Sequence, residues 1–344
     1  MRVFVADDGG EHSKAWQEFV ESHVQASNYH RWGWKTVIEN SFHWPAYYLM
    51  AEEEGKIKGV LPLVWQKSWM FGSFLTSLPF VNAGGVLAES KAAETALIHE
   101  AIALAQKLKV NHLELRHRQD HQLGLPTKTN KVAIVLAAEP DEDKMLKSLR
   151  HEVRTKIRKA IKCELTAEFA GEAVLDDFYS VFAANMRDLG TPVYGQDFFR
   201  EILRAFPDDT FIIVVRHEGK PAAVSLMTAY RDTLETLWGS SLREYLSLAP
   251  NMFMYWKMLR FAAERGFRIF DFGRSTVGSG PHRFKLQWSS QEVPLHWNYW
   301  LPEGNRLPEL NPQNPRYRLA IWLWQRLPLP ITKWVGPGIV RCLP

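Results

Sequence analysis

Two stretches of this chain repeat the same local plan. Tyr47-Tyr48-Leu49-Met50-Ala51-Glu52-Glu53-Glu54-Gly55-Lys56-Ile57-Lys58-Gly59-Val60-Leu61-Pro62-Leu63-Val64 and Phe211-Ile212-Ile213-Val214-Val215-Arg216-His217-Glu218-Gly219-Lys220-Pro221-Ala222-Ala223-Val224-Ser225-Leu226-Met227-Thr228 each read as strand, Glu-Gly-Lys turn, strand. Each turn carries the glycine that a tight hairpin favours. Two helical, aromatic-rich patterns precede each hairpin: Trp16 to Val24 and Trp32 to Phe42, then Leu175 to Met186 and Phe198 to Phe206. A long helix and a strand follow each: Ala92 to Leu108 with Asn111 to Leu115, then Asn251 to Arg265 with Arg268 to Phe272. The order recurs after roughly 160 residues, far beyond a solenoid period. It predicts two copies of one α/β domain, over 1–138 and 141–300, which suits a chain of 344 residues. The alternative is one large sheet with an accidental likeness.

Composition narrows the class. Hydrophobic residues make up 46% and charged residues 23%, as in an ordinary globular protein. A net charge of +4 is too mild for a dedicated nucleic-acid binder. Cys163 and Cys342 stand far apart, and no Cys or His spacing reads as a metal site or disulfide framework. The first residues turn quickly to charges and glycines, unlike a signal peptide, and no apolar run reaches the roughly 18 residues of a membrane span. These features place the chain in the cytoplasm.

The stretch richest in chemistry runs from Phe270 to Trp288: Phe-Asp-Phe-Gly-Arg-Ser-Thr-Val-Gly-Ser-Gly-Pro-His-Arg-Phe-Lys-Leu-Gln-Trp. An alternating apolar strand stops at Gly273, and polar groups, flexible glycines and an aromatic–basic pair follow. Strand ends that open into such loops are where α/β proteins place their chemistry. Asp271 can orient Arg274, act as a base, or cap the loop. His282 can accept a proton or serve as a plain polar residue. Ser275 lacks a visible His–Asp relay, which argues against a serine hydrolase.

A second charged feature joins the two copies. Pro140-Asp141-Glu142-Asp143 marks a helix start, and a helix is predicted from Lys144 to Lys162. Leu149, Val153, Ile157 and Ile161 would form one apolar stripe. The other faces carry Lys147, Arg150, Arg154, Lys156, Arg158, Lys159 and Lys162 against the single Glu152. Such a run is either a solvated face or an anion site; an acidic ligand would relieve the mutual repulsion, and phosphate suits the planar fork of Arg.

Helix, helix, hairpin, strand, helix, strand is the element order of the GNAT acyltransferase fold. Ordinary GNAT enzymes hold the pyrophosphate of acetyl-CoA on a glycine-rich loop ahead of a helix N-terminus. The corresponding place here, Gly239 to Asn251, has no closely spaced glycine pair. Asn82 to Glu89, its counterpart in the first half, has glycines but lacks the Arg or Gln lead. The loop around Gly278 and Gly280 comes one strand too late. The sequence thus argues against an ordinary acetyl-CoA loop.

The chain resembles the FemAB family, whose members carry two GNAT-like domains, and in particular the FemAB-like proteins found with exopolysaccharide and PEP-CTERM sorting systems. The resemblance spans nearly the whole chain. It rests on Tyr48-Leu49, Gly59-Val60-Leu61-Pro62-Leu63, Ser77-Leu78-Pro79-Phe80, Gly84-Gly85, Leu189-Gly190-Thr191-Pro192, Phe270-Asp271-Phe272-Gly273-Arg274-Ser275, Gly280, Phe284-Lys285 and Trp288. It implies transfer of an acyl or aminoacyl group to an amine of a peptidoglycan or exopolysaccharide precursor. No bound cofactor is implied; aminoacyl-tRNA or acyl-CoA would serve as co-substrate. Lys285, Phe284 and Asp271 would be catalytic, with the lysine answering phosphate or oxyanion charge and the ring supporting a cationic amine. Arg154, Arg158, Arg274, His282 and Gly280 would bind substrate. The helical hairpin with which dedicated peptidoglycan enzymes engage tRNA is missing, so a CoA-dependent N-acyltransferase is the rival donor reading. A non-catalytic protein that binds envelope polysaccharide or a membrane partner is the rival of another class.

The tail, 301–344, opens with a proline-rich stretch, Pro302 to Pro315, that reads as an extended linker. Trp322, Trp324 and Trp334 lie beside Arg326, Lys333 and Arg341. They fit either a peripheral contact with the inner face of the cytoplasmic membrane or docking onto the protein's own body. The prolines argue against a long amphipathic helix there.

Overall fold

The computed structural model describes residues 1–68, 71–308 and 315–342. It divides into two compact units, each a mixed α/β layer structure built on one sheet. Unit 1 holds Met1–Lys131 and the strand beyond Pro294; unit 2 holds Val132–Val293 and the helices that end at Val340.

The predicted duplication is visible rung by rung. Hairpin Ala46–Glu53/Lys56–Ser68 turns on Glu54 and Gly55, with φ of 52° and 74°. Hairpin Thr210–His217/Lys220–Tyr230 turns on Glu218 and Gly219, with φ of 49° and 76°. Two successive positive φ values give the left-handed turn whose twist matches a hairpin, which explains a glycine at the second position. Each hairpin then skips a residue at the same distance from its turn. Glu52 pairs with Ile57 and Ala51 with Gly59; Arg216 pairs with Pro221 and Val215 with Ala223.

In unit 1 the sheet runs in the order Arg2–Val5, Ala46–Glu53, Lys56–Ser68, Gly72–Thr76, His112–His117, His296–Trp300, Thr127–Lys128. Alternation along Ala46–Glu53 sends Leu49 and Ala51 into one core with helix Lys91–Lys107. Tyr48 and Met50 enter another with Trp16, Phe19 and Val20 of helix Gly10–Ser22. In unit 2 the order is Ser275–Thr276, Lys131–Ala137, Ile269–Asp271, Thr233–Ser241, Lys220–Tyr230, Thr210–His217, Thr166–Ala170. Ile213 and Val215 face helices His151–Ile161 and Pro250–Glu264.

This division differs from the expected blocks 1–138 and 141–300 at two strands. Lys131–Ala137 pairs antiparallel with Ile269–Asp271 in the second sheet, burying Val132 and Ile134 beside Met145 and Leu149. His296–Trp300 pairs with His112–His117 in the first. The reason for the return lies in the partners that this strand meets. Tyr299 donates to Glu114 at 2.7 Å, Trp297 lies 4.3 Å from the Arg116 guanidinium, and Asn298 meets His117 at 2.8 Å. Arg116 also donates to Glu114 at 2.6 Å and to the carbonyls of Leu78 and Val81 at 3.1 and 2.8 Å. Burial pushes the Glu114 carboxyl up, but Arg116 and then the Tyr299 hydroxyl outweigh it and hold the group below its ordinary value.

Two buried imidazoles complete this polar core. Val86 N–H donates to His117 Nε2 at 3.1 Å, so Nδ1 carries the proton given to Asn298. Ser27 N–H donates to His30 Nδ1 at 3.0 Å, so Nε2–H serves the Gly85 carbonyl at 3.1 Å. Gly85 is glycine because a Cβ there would lie 2.2 Å from the His117 ring and 2.7 Å from the Arg116 carbonyl. Burial lowers His30 to about 4 and His117 to about 3. In the unfolded chain both titrate near 6.5. The unfolded state therefore takes up protons first as pH falls. The stabilisation is complete above pH 6.5 and is lost as pH drops through about 4 and then about 3. Melting temperature measured from pH 7.5 downward is expected to fall steadily below 6.5; a flat profile to pH 4 would contradict these neutral tautomers.

The predicted helix Lys144–Lys162 is two helices, Glu142–Ser148 and His151–Ile161, separated at Leu149, where ψ reaches 152°. Leu149, Val153 and Ile157 face inward as expected, but Ile161 is 52% exposed and Ala160 takes the inward place. Steps of four residues drift about 40° each on a helix of 3.6 residues per turn, so the fourth member of such a stripe has left the core face. In the tail, part of the expected linker lies outside the described residues. The chain beyond it is helical: Pro315–Trp324 and Leu329–Val340, the latter containing Pro337. Both helices rest on unit 2, where Thr332 and Val340 are buried.

Candidate active site

Each sheet contains a parallel pair of strands that meet over three rungs. In unit 1 the rungs run from Phe74↔His112 to Thr76↔Glu114. In unit 2 they run from Thr233↔Ile269 to Glu235↔Asp271. Beyond Glu235 the first strand continues to Ser241 with a register shift, Leu226 facing Trp238 and Met227 facing Thr236, while its neighbour ends at Asp271. Such a parting leaves backbone groups of one strand without a ladder partner on that side.

The last rung carries a buried acid in both units, and a cation answers each. In unit 1 it is Arg116, whose guanidinium is taken up by Glu114, two carbonyls and the Trp297 ring. In unit 2 it is Lys285, on the short helix Gly280–Leu286 that Ser279 caps by accepting from His282 N–H. Lys285 is only 9% exposed. Its Nζ donates to the carbonyls of Gly273 and Arg274, each at 3.1 Å, which leaves one N–H without an acceptor among the described residues. Burial pulls its pKa down to about 8; the field of Asp271 opposes this, Arg274 adds to it, and Glu235 opposes it. An ammonium of this kind can donate to an oxyanion or exchange a proton close to neutral pH.

The other sequence-predicted residues fall around it. Asp271 is fully buried and Oδ1 accepts the Gly273 N–H at 2.8 Å, which caps the turn that delivers the two carbonyls. Arg274 is half-buried. His282 is held at both ring nitrogens: Gly278 N–H donates to Nδ1 at 3.3 Å, and Nε2 meets Glu292 at 2.8 Å. It braces the loop from inside. Phe284 packs 5.2 Å from Tyr255 and 6.4 Å from Trp288, at the border of the core. Gly280 opens the helix with free space around its Cα.

The basic helix His151–Ile161 reaches this segment at Lys156, whose Nζ donates to Gln287 at 3.3 Å, and Ser289 donates to the carbonyl of Ser148 at 3.2 Å. Arg154 is partly used, donating to the Lys147 carbonyl at 3.0 Å, whereas Arg158 is exposed. Among the described residues no group of three His, Cys, Asp or Glu side chains is placed to hold a metal.

Sequence reasoning missed Glu235 and the polar groups beside Gly239. A methyl placed on Gly239 would make ordinary contacts, at 3.7 Å, with Ser225 Oγ, Tyr255 Oη and Met254 Cε. The Ser225 hydroxyl is fully buried with no hydrogen-bond partner among the described residues, and burial raises Tyr255 to about 12. The available signal was Glu235, an acid in the strand Thr233–Ser241, which has no other charged residue. The expected CoA-loop position holds strand to Ser241 and then a 3-10 turn, Arg243–Leu248, before helix Pro250–Glu264. That turn contains no glycine.

Comparison with known proteins agrees with this architecture. Residues 147–286 match the family described as Acetyltransferase (GNAT) domain. The crystal structure of FemX superposes with a TM-score of 0.65 at 15% identity, covering 93% of this chain and 100% of its own. A tandem GNAT protein from the clavulanic acid biosynthesis pathway gives 0.54 at 11%, covering 89% and 99%. The fold is the tandem GNAT fold. The C-terminal domain of a putative lysylphosphatidylglycerol synthetase from Agrobacterium fabrum gives 0.55 at 11%, covering 83% and 92%. No curated protein matches the sequence. The chain thus carries an acyltransferase domain, which contains the parted strands, Lys285 and the basic helix.

Proposed function

We propose that this tandem GNAT protein transfers an acyl or aminoacyl group to an amine on a phosphate-bearing precursor of the cell envelope. The observation that carries the reading is Lys285, a buried ammonium with one N–H to spare, in an acetyltransferase (GNAT) domain beside parted parallel strands. In the reaction the amine attacks the acyl carbonyl, a C–N bond forms, and the C–O or C–S bond to the donor breaks. The amine loses a proton and the leaving group gains one. Aminolysis of an activated ester needs no covalent enzyme intermediate, so positioning and charge stabilisation do most of the work. Lys285 meets the developing oxyanion, Asp271 fixes the turn beneath it, and the ring of Phe284 borders the amine. Arg158, Lys159 and their neighbours hold the phosphates of the acceptor; Arg274, His282 and Gly280 shape the loop over it. The fold likeness to FemX supports an envelope acceptor, and an association with exopolysaccharide or PEP-CTERM systems rests on the sequence resemblance alone. Aminoacyl-tRNA is the preferred donor because the turn Arg243–Leu248 offers no glycine cradle for a CoA pyrophosphate.

Thermal-shift titration with amine-bearing nucleotide-diphosphate sugars and with acyl-CoAs tests the assignment, since a ligand that binds the folded state raises its melting point. The nucleotide sugars are expected to stabilise the protein. Arg158→Glu is expected to weaken that binding by roughly tenfold without changing the melting point of the free protein. Stabilisation by acyl-CoA with turnover of simple amines would favour the CoA-dependent alternative. Ligand capture that survives loss of Lys285 and never leads to transfer would favour a binding protein.

A further inference from the structure

We propose that the two C-terminal helices form a surface anchor that holds this protein on an anionic lipid bilayer. Both helices have an inner face fixed to unit 2. Gly190, with φ of 77°, ends helix Leu175–Leu189, and a Cβ there would lie 2.4 Å from Ile321 Cγ2. Gln325 donates to the Asp188 carbonyl at 3.1 Å. In the second helix Gly336 lies against the Val193 backbone, where a Cβ would be 3.0 Å from its nitrogen and oxygen.

The outer faces are the unusual part. Leu319, Trp322 and Leu323 follow at i, i+3 and i+4 on the side away from Ile321, and all are exposed. Ile331 and Trp334 occupy the same relation in the second helix, away from Thr332 and Gly336, and Trp334 is 85% exposed. The helices are consecutive and separated only by the turn at 325–328. Single exposed apolar residues are ordinary, but five large ones on two consecutive helices expose more apolar surface than water favours.

Charge decides the occupant. From Pro315 to Cys342 the chain contains Arg316, Arg318, Arg326, Lys333 and Arg341 and no Asp or Glu. The Arg326 guanidinium sits 3.8 Å over the Trp322 ring, and Trp334 lies beside Lys333 in a shallow cleft with Leu329 and Pro330. Lys333 lies 4.9 Å over the Tyr179 ring and Arg341 donates to the Ser41 carbonyl, so Arg318 and Arg326 are the cations beside the exposed rings. Tryptophan and leucine beside such arginines is the chemistry of a lipid headgroup boundary, where rings sit among acyl chains and cations meet lipid phosphates. No helix of the described residues is long and apolar enough to cross a membrane, so the contact is with one face. The proposal is independent of which group the enzyme transfers.

Sedimentation of the full-length protein with vesicles tests it, using phosphatidylglycerol mixed with phosphatidylcholine, and phosphatidylcholine alone. Binding is expected to the mixed vesicles, to weaken with salt, and to be much lower on the neutral ones. Trp322→Ser/Trp334→Ser is expected to reduce binding by roughly tenfold or more, and Arg318→Glu/Arg326→Glu by a similar factor. Both double variants should keep the wild-type melting temperature, because these side chains face solvent. The proposal is overturned if the wild type stays in the supernatant, if it binds neutral vesicles equally, or if the tryptophan variant sediments like the wild type. Tryptophan-dependent self-association without vesicle binding would also overturn it, making this face an interface between copies.

Discussion

Lys285→Met is expected to lower the rate of transfer by at least about 100-fold, the usual cost of removing a group that meets developing negative charge. Methionine keeps the length and apolar stem but cannot donate, so the carbonyls of Gly273 and Arg274 also lose their buried partner. A destabilisation of about 1–3 kcal/mol accompanies the kinetic loss. Lys285→Arg separates the two effects. It retains a cation and donors, but arginine does not titrate in the accessible range. If the depressed lysine, at about 8, takes part in proton exchange, the wild type shows a limb in kcat/KM near that pH, and the arginine variant loses it. The sign for stability is separate: the lysine binds its proton more weakly when folded than unfolded, so its burial penalty is relieved as pH rises above about 8. Full transfer by well-folded Lys285→Met would remove this residue from the chemistry.

The second large effect is on unit 1. Arg116→Ala is expected to destabilise it by about 3–5 kcal/mol, a substantial share of the stability of a typical domain. The alanine leaves the buried Glu114 carboxylate with Tyr299 alone, strips donors from the Leu78 and Val81 carbonyls, and removes the cation from the Trp297 ring. Adding Glu114→Gln should restore part of the loss, because a neutral amide costs less to bury than an unpaired charge. Urea denaturation monitored by tryptophan fluorescence measures both. A single variant as stable as the wild type would mean that this network is ornamental.

The duplication was legible because hairpins leave a strong local signature. Two Glu-Gly-Lys turns within alternating strands specify register, and the structure repeats them down to the skipped residue beyond each turn. The basic helix was legible in its charges but not in its break at Leu149, since a stripe with a period of four imitates one continuous helix. Lys285 could be singled out from its place in the motif, but its burial against two carbonyls could not, because that depends on how the turn after Asp271 folds back over the short helix. Glu235 was hidden for a related reason: its importance comes from a parallel neighbour 36 residues later, a pairing that no local pattern announces. The destinations of Lys131–Ala137 and His296–Trp300 were hidden most deeply. Period-two patterning says that a segment is a strand, never which sheet will receive it.

That exchange of strands sets an order of events during synthesis. His112–His117 is buried along its whole length, with one flank covered by a strand that the ribosome makes last among the sheet strands. The first unit must therefore wait, with Glu114, Arg116 and His117 short of their partners, until residues 296–300 have left the exit tunnel. Meanwhile Lys131–Ala137 has already emerged and awaits its own sheet. The more N-terminal unit is thus completed by a strand that emerges only after every strand of the second sheet.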